Sequence, residues 1–186
     1  ILADTTNTIA EGEVLQLMNC QDVTLSESDY FDTIYRKTAK LFESSAQIGA
    51  ALTSHEQQHM ADYGRHLGLC FQIVDDLLDY TASSEQIGKN IGDDLTDGKM
   101  TLPLIYTLER ANTQQRELIQ HAIEHGATES LPQIIALMQS TDAIKRSNAT
   151  VQKHAVAATN ALKPLASSPY KQALLDLVDF AVYRSY

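Results

Sequence analysis

The sequence contains no tryptophan, only two cysteines and only four prolines, and aromatic residues make up 6% of its 186 residues. Cys20 and Cys70 are too few and too far apart for a disulfide framework, so buried free thiols in a reducing, cytoplasmic compartment are expected. No run approaches the ~20 apolar residues of a membrane span, and the first residues lack the form of a signal peptide. These absences exclude a disulfide-stabilised scaffold and a helical membrane protein.

Basic residues are also scarce. Lysine and arginine total 14 against 24 aspartates and glutamates, which gives a formal net charge of −10. No basic patch is available to hold nucleic acid. An acidic balance does not oppose an anionic ligand, because individual lysines and metal ions set the local field. With 44% hydrophobic and 20% charged residues, the chain has the composition of an ordered domain with a sizeable core.

Apolar residues recur at helical spacing along the chain, and the alternation typical of strands is absent. Thr101 is a suitable N-cap with Pro103 in the first turn, and Gly126 is a suitable helix terminator. The spacing predicts helices over residues 1–19, 26–52, 102–111, 113–125, 131–139, 142–162 and 168–184, with one more between a cap at 53–56 and a stop at 82–84. The predicted fold class is therefore all-α, a helical bundle.

Three aspartates, Asp75, Asp76 and Asp79, interrupt an apolar helical segment. On a helix, Asp75 and Asp79 lie one turn apart on the same face, and Asp76 lies beside them. Like charges at this spacing cost roughly 0.2–0.5 kcal/mol, and no Lys or Arg between Arg65 and Lys89 offsets them. Mg²⁺ suits such a cluster, because it takes one or two carboxylates and completes its shell with water and phosphate. A solvated helix face or a frayed helix end is the alternative.

The segment over residues 88–103 strengthens the metal hypothesis. It holds three glycines, three aspartates and two lysines, Lys89 and Lys99. Glycines give the backbone freedom, aspartates are partners for a metal, and a lysine ammonium is a point-charge partner for phosphate. A site for metal and diphosphate is therefore favoured over an ordinary solvated loop.

Residues 71–80 together with this segment closely resemble the second aspartate-rich region of the trans-isoprenyl diphosphate synthases, with the longer-chain members nearest. Residues 35–42 resemble the Lys-Thr element of that family, and residues 11–17 resemble a helix that lines its cavity. The last match departs from the family at Glu13 and Gln16, where many members have Gln and Asp. The combined spacing of the three matches is specific, whereas Lys-Thr alone would be a weak signal.

The resemblance implies an all-α fold of the isoprenoid synthase type. Complete members carry two aspartate-rich motifs on facing helices, and this sequence has one. It also lacks the basic element that holds isopentenyl diphosphate in the family. Residues 1–186 are therefore expected to be the C-terminal part of a single isoprenoid synthase domain, inactive by themselves.

The resemblance also implies a reaction and its site residues. The expected substrates are an allylic diphosphate and isopentenyl diphosphate, the cofactor is Mg²⁺, and the product is a long polyprenyl diphosphate, octaprenyl being favoured, for a quinone tail. A homodimer is expected. The metal would be held by Asp75 most directly, with Asp76 and Asp79 as ligands or supports. The diphosphate would be contacted or oriented by Lys37, Lys89, Lys99, Thr38 and Gln72, and the predicted catalytic residues are Lys37, Asp75 and Lys89.

Two other functions stay open. An ionising terpene synthase shares the same metal and diphosphate chemistry, although its helices are usually richer in aromatic residues. A non-catalytic subunit of a heteromeric prenyl synthase is the second. Such a subunit would be expected to have lost the carboxylates and lysines of the site, whereas this sequence retains them. At the C-terminus, Tyr183 and Arg184 are interpreted as a solvated chain end. The alternative is a basic tail that folds over the diphosphate site, as in some members of the family.

Overall fold

The computed structural model describes residues 1–53, 56–81 and 91–184, and these residues form helices and no strand. The all-α prediction is confirmed. Contacts divide the described residues into two compact units. The first comprises 1–14, 32–74 and 150–184, and the second comprises 15–31 and 75–149. Within the described part of the chain, no helix has the length and apolar character needed to span a membrane.

Ten α-helices are described in these ranges, together with one π-helix and one short 3₁₀ helix. The α-helices are α1 (Leu2–Asn19), α2 (Glu27–Ile34), α3 (Lys40–Ala51), α4 (Gln57–Thr81), α5 (Asp93–Thr96), α6 (Leu102–Arg110), α7 (Thr113–His125), α8 (Leu131–Ser140), α9 (Ala143–Ala161) and α10 (Pro169–Tyr183). The π-helix is Tyr35–Ala39 and the 3₁₀ helix is Thr128–Ser130. Two features differ from the prediction: the π-helix interrupts the helix predicted over 26–52, and α5 lies inside the predicted loop.

Local signals explain some of the helix boundaries. Asn112 opens α7 with a capping box, in which its side chain accepts from the Gln115 amide and the Gln115 side chain accepts from the Asn112 amide. Gly126 ends α7 in the left-handed conformation, at φ 60°. Thr101 occupies the N-cap position of α6 as predicted, with extended backbone, but its side chain makes no capping hydrogen bond.

In the first unit, α4 approaches its neighbours closely through glycine. A Cβ atom on Gly68 would lie 2.6 Å from the Cα atom of Ala39, at the end of the π-helix. The Tyr63 hydroxyl donates to the carbonyl of Leu174 in α10 over 2.9 Å. Cys70 is fully buried, and burial raises the pKa of its thiol to about 12. The predicted burial holds for Cys70, whereas Cys20 is only half-buried.

In the second unit, α5 packs on α7, α6 on α8, and α7 on α8. The side chains at these contacts are almost completely buried, and they are Leu95, Leu102, Leu104, Ile119, Ile123, Ile134 and Met138. The Arg146 guanidinium lies 3.9 Å from the centroid of the Tyr106 ring and pairs with Glu109 at 2.7 Å. This apolar core fixes the position of α5, which lies inside the loop predicted over residues 88–103.

Candidate functional site

The three aspartates of α4 lie in three different environments. Asp75 is exposed to solvent. Asp76 is only 4% exposed, and its Oδ2 accepts a hydrogen bond from the hydroxyl of Tyr30 over 2.6 Å. Asp79 is half-buried. A helix with a buried and an exposed side separates neighbouring residues in this way, so the carboxylates are not equivalent.

Asp79 caps helix α5 from a distance in sequence. Its Oδ1 accepts the amide of Asp93 and its Oδ2 accepts the amide of Asp94, each over 3.1 Å. Its main-chain carbonyl accepts the amide of Gly92 over 3.0 Å. Gly92, the N-cap of α5, has a left-handed backbone at φ 85° and offers no side chain. The carboxylate of α4 therefore satisfies the free amides that a local capping residue would normally satisfy.

Lys99 forms ion pairs in the same loop. Its Nζ lies 3.0 Å from Oδ1 of Asp94 and 2.8 Å from Oδ2 of Asp97. Burial opposes the charged ammonium, but the two carboxylates outweigh it and raise the pKa of Lys99. The lysine predicted to contact diphosphate therefore already has two anionic partners within the protein.

The carboxylates of Asp75, Asp79 and Asp94 form what we call the acidic cluster. Burial, followed by the charge of Asp94, raises the pKa of Asp79 to about 6. Burial also raises the pKa of Asp94, against the lowering effect of Lys99, and the charge of Asp75 adds to the rise. Burial is thus the main cause of both shifts, and repulsion between the carboxylates adds to it.

The acidic cluster has the right donor chemistry for Mg²⁺, since carboxylate oxygens are its preferred protein ligands. Among the described residues, no group of three or more His, Cys, Asp or Glu side chains is placed so that it could hold a metal ion by itself. Mg²⁺ does not require such a group, because it is usually bound through one or two carboxylates plus substrate phosphates. The exposed Asp75 carboxylate fits that role.

Lys37 and Thr38 lie in the π-helix of the first unit. The Lys37 Nζ lies 3.5 Å from a carboxylate oxygen of Glu13. The Thr38 hydroxyl donates to Oε1 of Gln72 over 2.8 Å, so two residues predicted to orient substrate contact each other. Single π-helical turns inside α-helices frequently occur at functional sites.

Gly12 lets α1 approach the π-helix. A Cβ atom at this position would lie 2.5 Å from the main-chain nitrogen of Lys37. The neighbouring Lys40 has a different role, because its ammonium is mostly buried and pairs with Asp4 and Glu43 at 3.0 Å each. Lys40 therefore links α1 to α3 within the fold.

Two further predictions concern the ends of the described ranges. Lys89 lies outside the described residues. Arg184 is only 7% exposed, so its interpretation as part of a solvated chain end is wrong. Its guanidinium lies 3.7 Å from the Phe71 ring centroid and donates to the Phe71 carbonyl over 2.9 Å. Tyr183, by contrast, is 74% exposed.

Sequence reasoning missed Tyr30 and Asp94 as neighbours of the aspartates. Tyr30 is 46 positions from Asp76, and no local spacing rule connects them. Asp94 lies in the segment over residues 88–103, whose aspartates were predicted to be partners for a metal. The composition of that segment therefore indicated a role for Asp94 but not its contact with Asp79.

The polyprenyl synthetase family profile matches residues 1–138. The chain belongs to the polyprenyl synthetase family. It is 44% identical over 190 residues to octaprenyl diphosphate synthase of Haemophilus influenzae, and 42% identical over 188 residues to that of Escherichia coli. These alignments cover 100% and 99% of this chain and 58% of each relative. The chain therefore spans little more than half the length of these polyprenyl synthetases.

Solved structures in the family share the fold. The polyprenyl synthase of Caulobacter crescentus, complexed with calcium and isoprenyl diphosphate, is 37% identical with a TM-score of 0.92 and covers 100% of this chain and 58% of its own. The decaprenyl diphosphate synthase of Rhodobacter capsulatus is 37% identical with a TM-score of 0.91, over 97% of this chain and 57% of its own. The chain therefore has the all-α isoprenoid synthase fold.

Proposed function

We propose that this chain forms part of a Mg²⁺-dependent polyprenyl diphosphate synthase. The reaction condenses an allylic diphosphate with isopentenyl diphosphate head to tail, and repeated cycles give a long polyprenyl diphosphate. The two octaprenyl diphosphate synthases among the relatives support an octaprenyl product, which suits a quinone tail. The homodimer and the cytoplasmic location expected from the resemblance belong to the same proposal.

The observation that carries the proposal is the acidic cluster at the end of α4. Asp75 presents an exposed carboxylate, and burial, with a smaller contribution from neighbouring carboxylates, raises the pKa values of Asp79 and Asp94. A divalent cation would offset the repulsion among these carboxylates and would hold a diphosphate next to them. The Caulobacter crescentus relative, solved with calcium and isoprenyl diphosphate, supports this combination of ligands.

Each predicted residue then has a distinct task. Asp75 is proposed as the direct metal ligand, and Asp76 and Asp79 hold the surrounding structure in place. Bound Mg²⁺ would stabilise the charge that develops on the departing pyrophosphate, so that the allylic C–O bond ionises. Lys37 and Lys89 donate to the diphosphate oxygens and stabilise the same charge.

The remaining predicted residues orient and support the diphosphate. Thr38 and Gln72, already joined by a hydrogen bond, orient it in the first unit. Lys99 is a third cation for this anion, and a bound diphosphate would compete with Asp94 and Asp97 for its ammonium. This competition makes Lys99 the weakest of the three lysine assignments.

The assay for this function uses radiolabelled isopentenyl diphosphate, an allylic primer and Mg²⁺. A chain extended upstream of Ile1 to include a second aspartate-rich cluster should elongate the primer, and Asp75→Asn in it should lower turnover by about 10²–10³-fold, the usual effect of losing one transition-state stabiliser. The matched control is Asp179→Asn, at an exposed position of α10, which should retain turnover. Equal activity of Asp75→Asn and Asp179→Asn would contradict the role of Asp75.

The 186 residues alone should not elongate the primer. Charge neutralisation is needed on both sides of the diphosphate, and this sequence contains one aspartate-rich cluster. It also contains no cluster of Lys and Arg to hold isopentenyl diphosphate in line with the allylic carbon. Elongation by the purified 186-residue chain would show that the second cluster is dispensable.

A further inference from the structure

The bond between Tyr30 and Asp76 joins α2 to the aspartate-bearing end of α4. Both side chains are almost completely buried, with 3% and 4% of their surface exposed. The phenol hydroxyl donates to Oδ2 over 2.6 Å, the short distance typical of a hydrogen bond to an ionised acceptor. Both residues belong to the second unit, so the bond lies within one compact body.

The surroundings hold the Tyr30 phenol in its donor role. Burial, followed by the charge of Asp76, raises the pKa of Tyr30 well above its ordinary value, so the hydroxyl keeps its proton. The Phe31 ring packs edge-on against the Tyr30 ring, with the centroids 5.5 Å apart. A second phenol, that of Tyr106, donates to Oε1 of Glu27 at the start of α2 over 2.8 Å, two turns or less from Tyr30 but without a role in holding Asp76 in this proposal.

We propose that Tyr30 is a positioning residue for the metal and diphosphate site, acting through Asp76 on the orientation of Asp75. Asp76 faces Tyr30 in the interior, and the next carboxylate along α4, Asp75, faces solvent. Fixing the buried carboxylate fixes the rotation of this helical turn, and therefore the direction of the exposed carboxylate. Replacing a residue that orients a metal ligand in this indirect way typically costs about 10–100-fold in metal affinity. This inference rests on the proposed function.

The test compares Tyr30→Phe with Tyr106→Phe in the 186-residue chain. Each variant removes one buried phenol hydroxyl that donates to a carboxylate, that of Asp76 for Tyr30 and that of Glu27 for Tyr106. Calorimetry with inorganic pyrophosphate at saturating Mg²⁺ gives the Kd, and thermal unfolding gives the Tm. Tyr30→Phe should raise the Kd roughly 10-fold. Tyr106→Phe should leave the Kd near the wild-type value. The two variants should lower the Tm by similar amounts.

A double-mutant cycle with Asp76→Asn separates positioning from general stability. Because Tyr30 is proposed to act through Asp76, Tyr30→Phe should raise the Kd little further in the Asp76→Asn background. The positioning role alone would be overturned if the wild-type chain binds pyrophosphate and Tyr30→Phe leaves its Kd unchanged. It would also be overturned if Tyr106→Phe raises the Kd as much as Tyr30→Phe does. Absence of binding by the wild-type chain, in the presence of Mg²⁺, would overturn the proposed function and this role with it.

Discussion

Gly12 allows the backbone of α1 to lie against the Lys-Thr element. The backbone of α1 approaches the π-helix so closely there that a Cβ atom would lie 2.5 Å from the nitrogen of Lys37 and 2.8 Å from the carbonyl carbon of Arg36. Both neighbours are backbone atoms, which cannot rotate away as a flexible side chain can. Gly12→Ala should therefore lower the free energy of unfolding by about 1–3 kcal/mol, as overpacking typically does. Denaturant titration measures this change.

Gly49→Ala is the matched control. Gly49 lies in α3, and a Cβ atom there would meet nothing within 4 Å. Alanine is the better helix former, so this variant should gain roughly 0.5–1 kcal/mol. Stability changes of the same sign in the two variants would contradict the close approach at Gly12.

The aspartates illustrate what the sequence can and cannot predict for single residues. Their spacing predicts a shared helix, and the structure confirms that Asp75, Asp76 and Asp79 all lie in α4. The sequence presents them as three candidate ligands of one metal. Their separate environments depend on Tyr30 and on the amides of Asp93 and Asp94, and such partners, distant in sequence, leave no local pattern.

At the scale of helices, boundaries that depend on neighbouring residues were predictable and those that depend on packing were not. The break near Asn112 and the stop at Gly126 follow from capping chemistry, and both predictions are confirmed. The π-helix forms where Gly12 and Gly68 bring two other helices against residues 35–39. Helix α5 begins where the carboxylate of Asp79 caps it. Neither element has a signal within its own sequence.

Helices α4 and α9 meet at a histidine pair that should make stability depend on pH. The Nδ1 atoms of His66 and His154 lie 3.0 Å apart, and both side chains are half-buried. Burial lowers the pKa of both rings. The pKa of His154 falls to about 4, and the charges of Lys153 and Arg65 contribute to this fall. The charge of Asp62 opposes the lowering of the His66 pKa. The unfolded chain therefore binds protons more readily than the folded chain. The contribution of the neutral histidine pair to the free energy of unfolding is complete above pH 6.5 and is lost as the pH falls towards 4.

Thermal unfolding measured across this pH range tests the histidine pair. The variant His154→Gln should show a smaller fall in Tm with acidification than the wild type, because one titrating ring is removed. His121→Gln, at an exposed position of α7, is the matched control and should keep the wild-type slope. A wild-type slope in His154→Gln would exclude the pair as a source of the pH dependence.

At the scale of the whole molecule, the proposed homodimer has a candidate surface on α1. Val14, Leu17 and Met18 recur at helical spacing and are 56%, 73% and 74% exposed. Contiguous apolar side chains of this kind mark interaction surfaces. We expect light scattering at micromolar concentration to show a dimer or larger species, and the pair Leu17→Asp and Met18→Asp to shift it towards monomer.

Leu52→Asp provides the control for that substitution. Leu52 is 84% exposed, follows α3, and is a single apolar residue rather than part of the α1 surface. This variant should associate like the wild type. A monomeric wild-type chain, or equal dissociation by Leu52→Asp, would count against association through α1.

The central claim is that the acidic cluster of α4 binds Mg²⁺ and a diphosphate together. Each ligand should bind weakly alone, because the anion completes the coordination shell of the ion and the ion neutralises the cluster. Titration calorimetry of pyrophosphate, with Mg²⁺ or with a chelator, measures this coupling directly. We predict that Mg²⁺ tightens pyrophosphate binding roughly 5–150-fold and that Asp75→Asn abolishes the gain. Pyrophosphate binding that is unchanged by the chelator, or retained coupling in Asp75→Asn, would contradict the account.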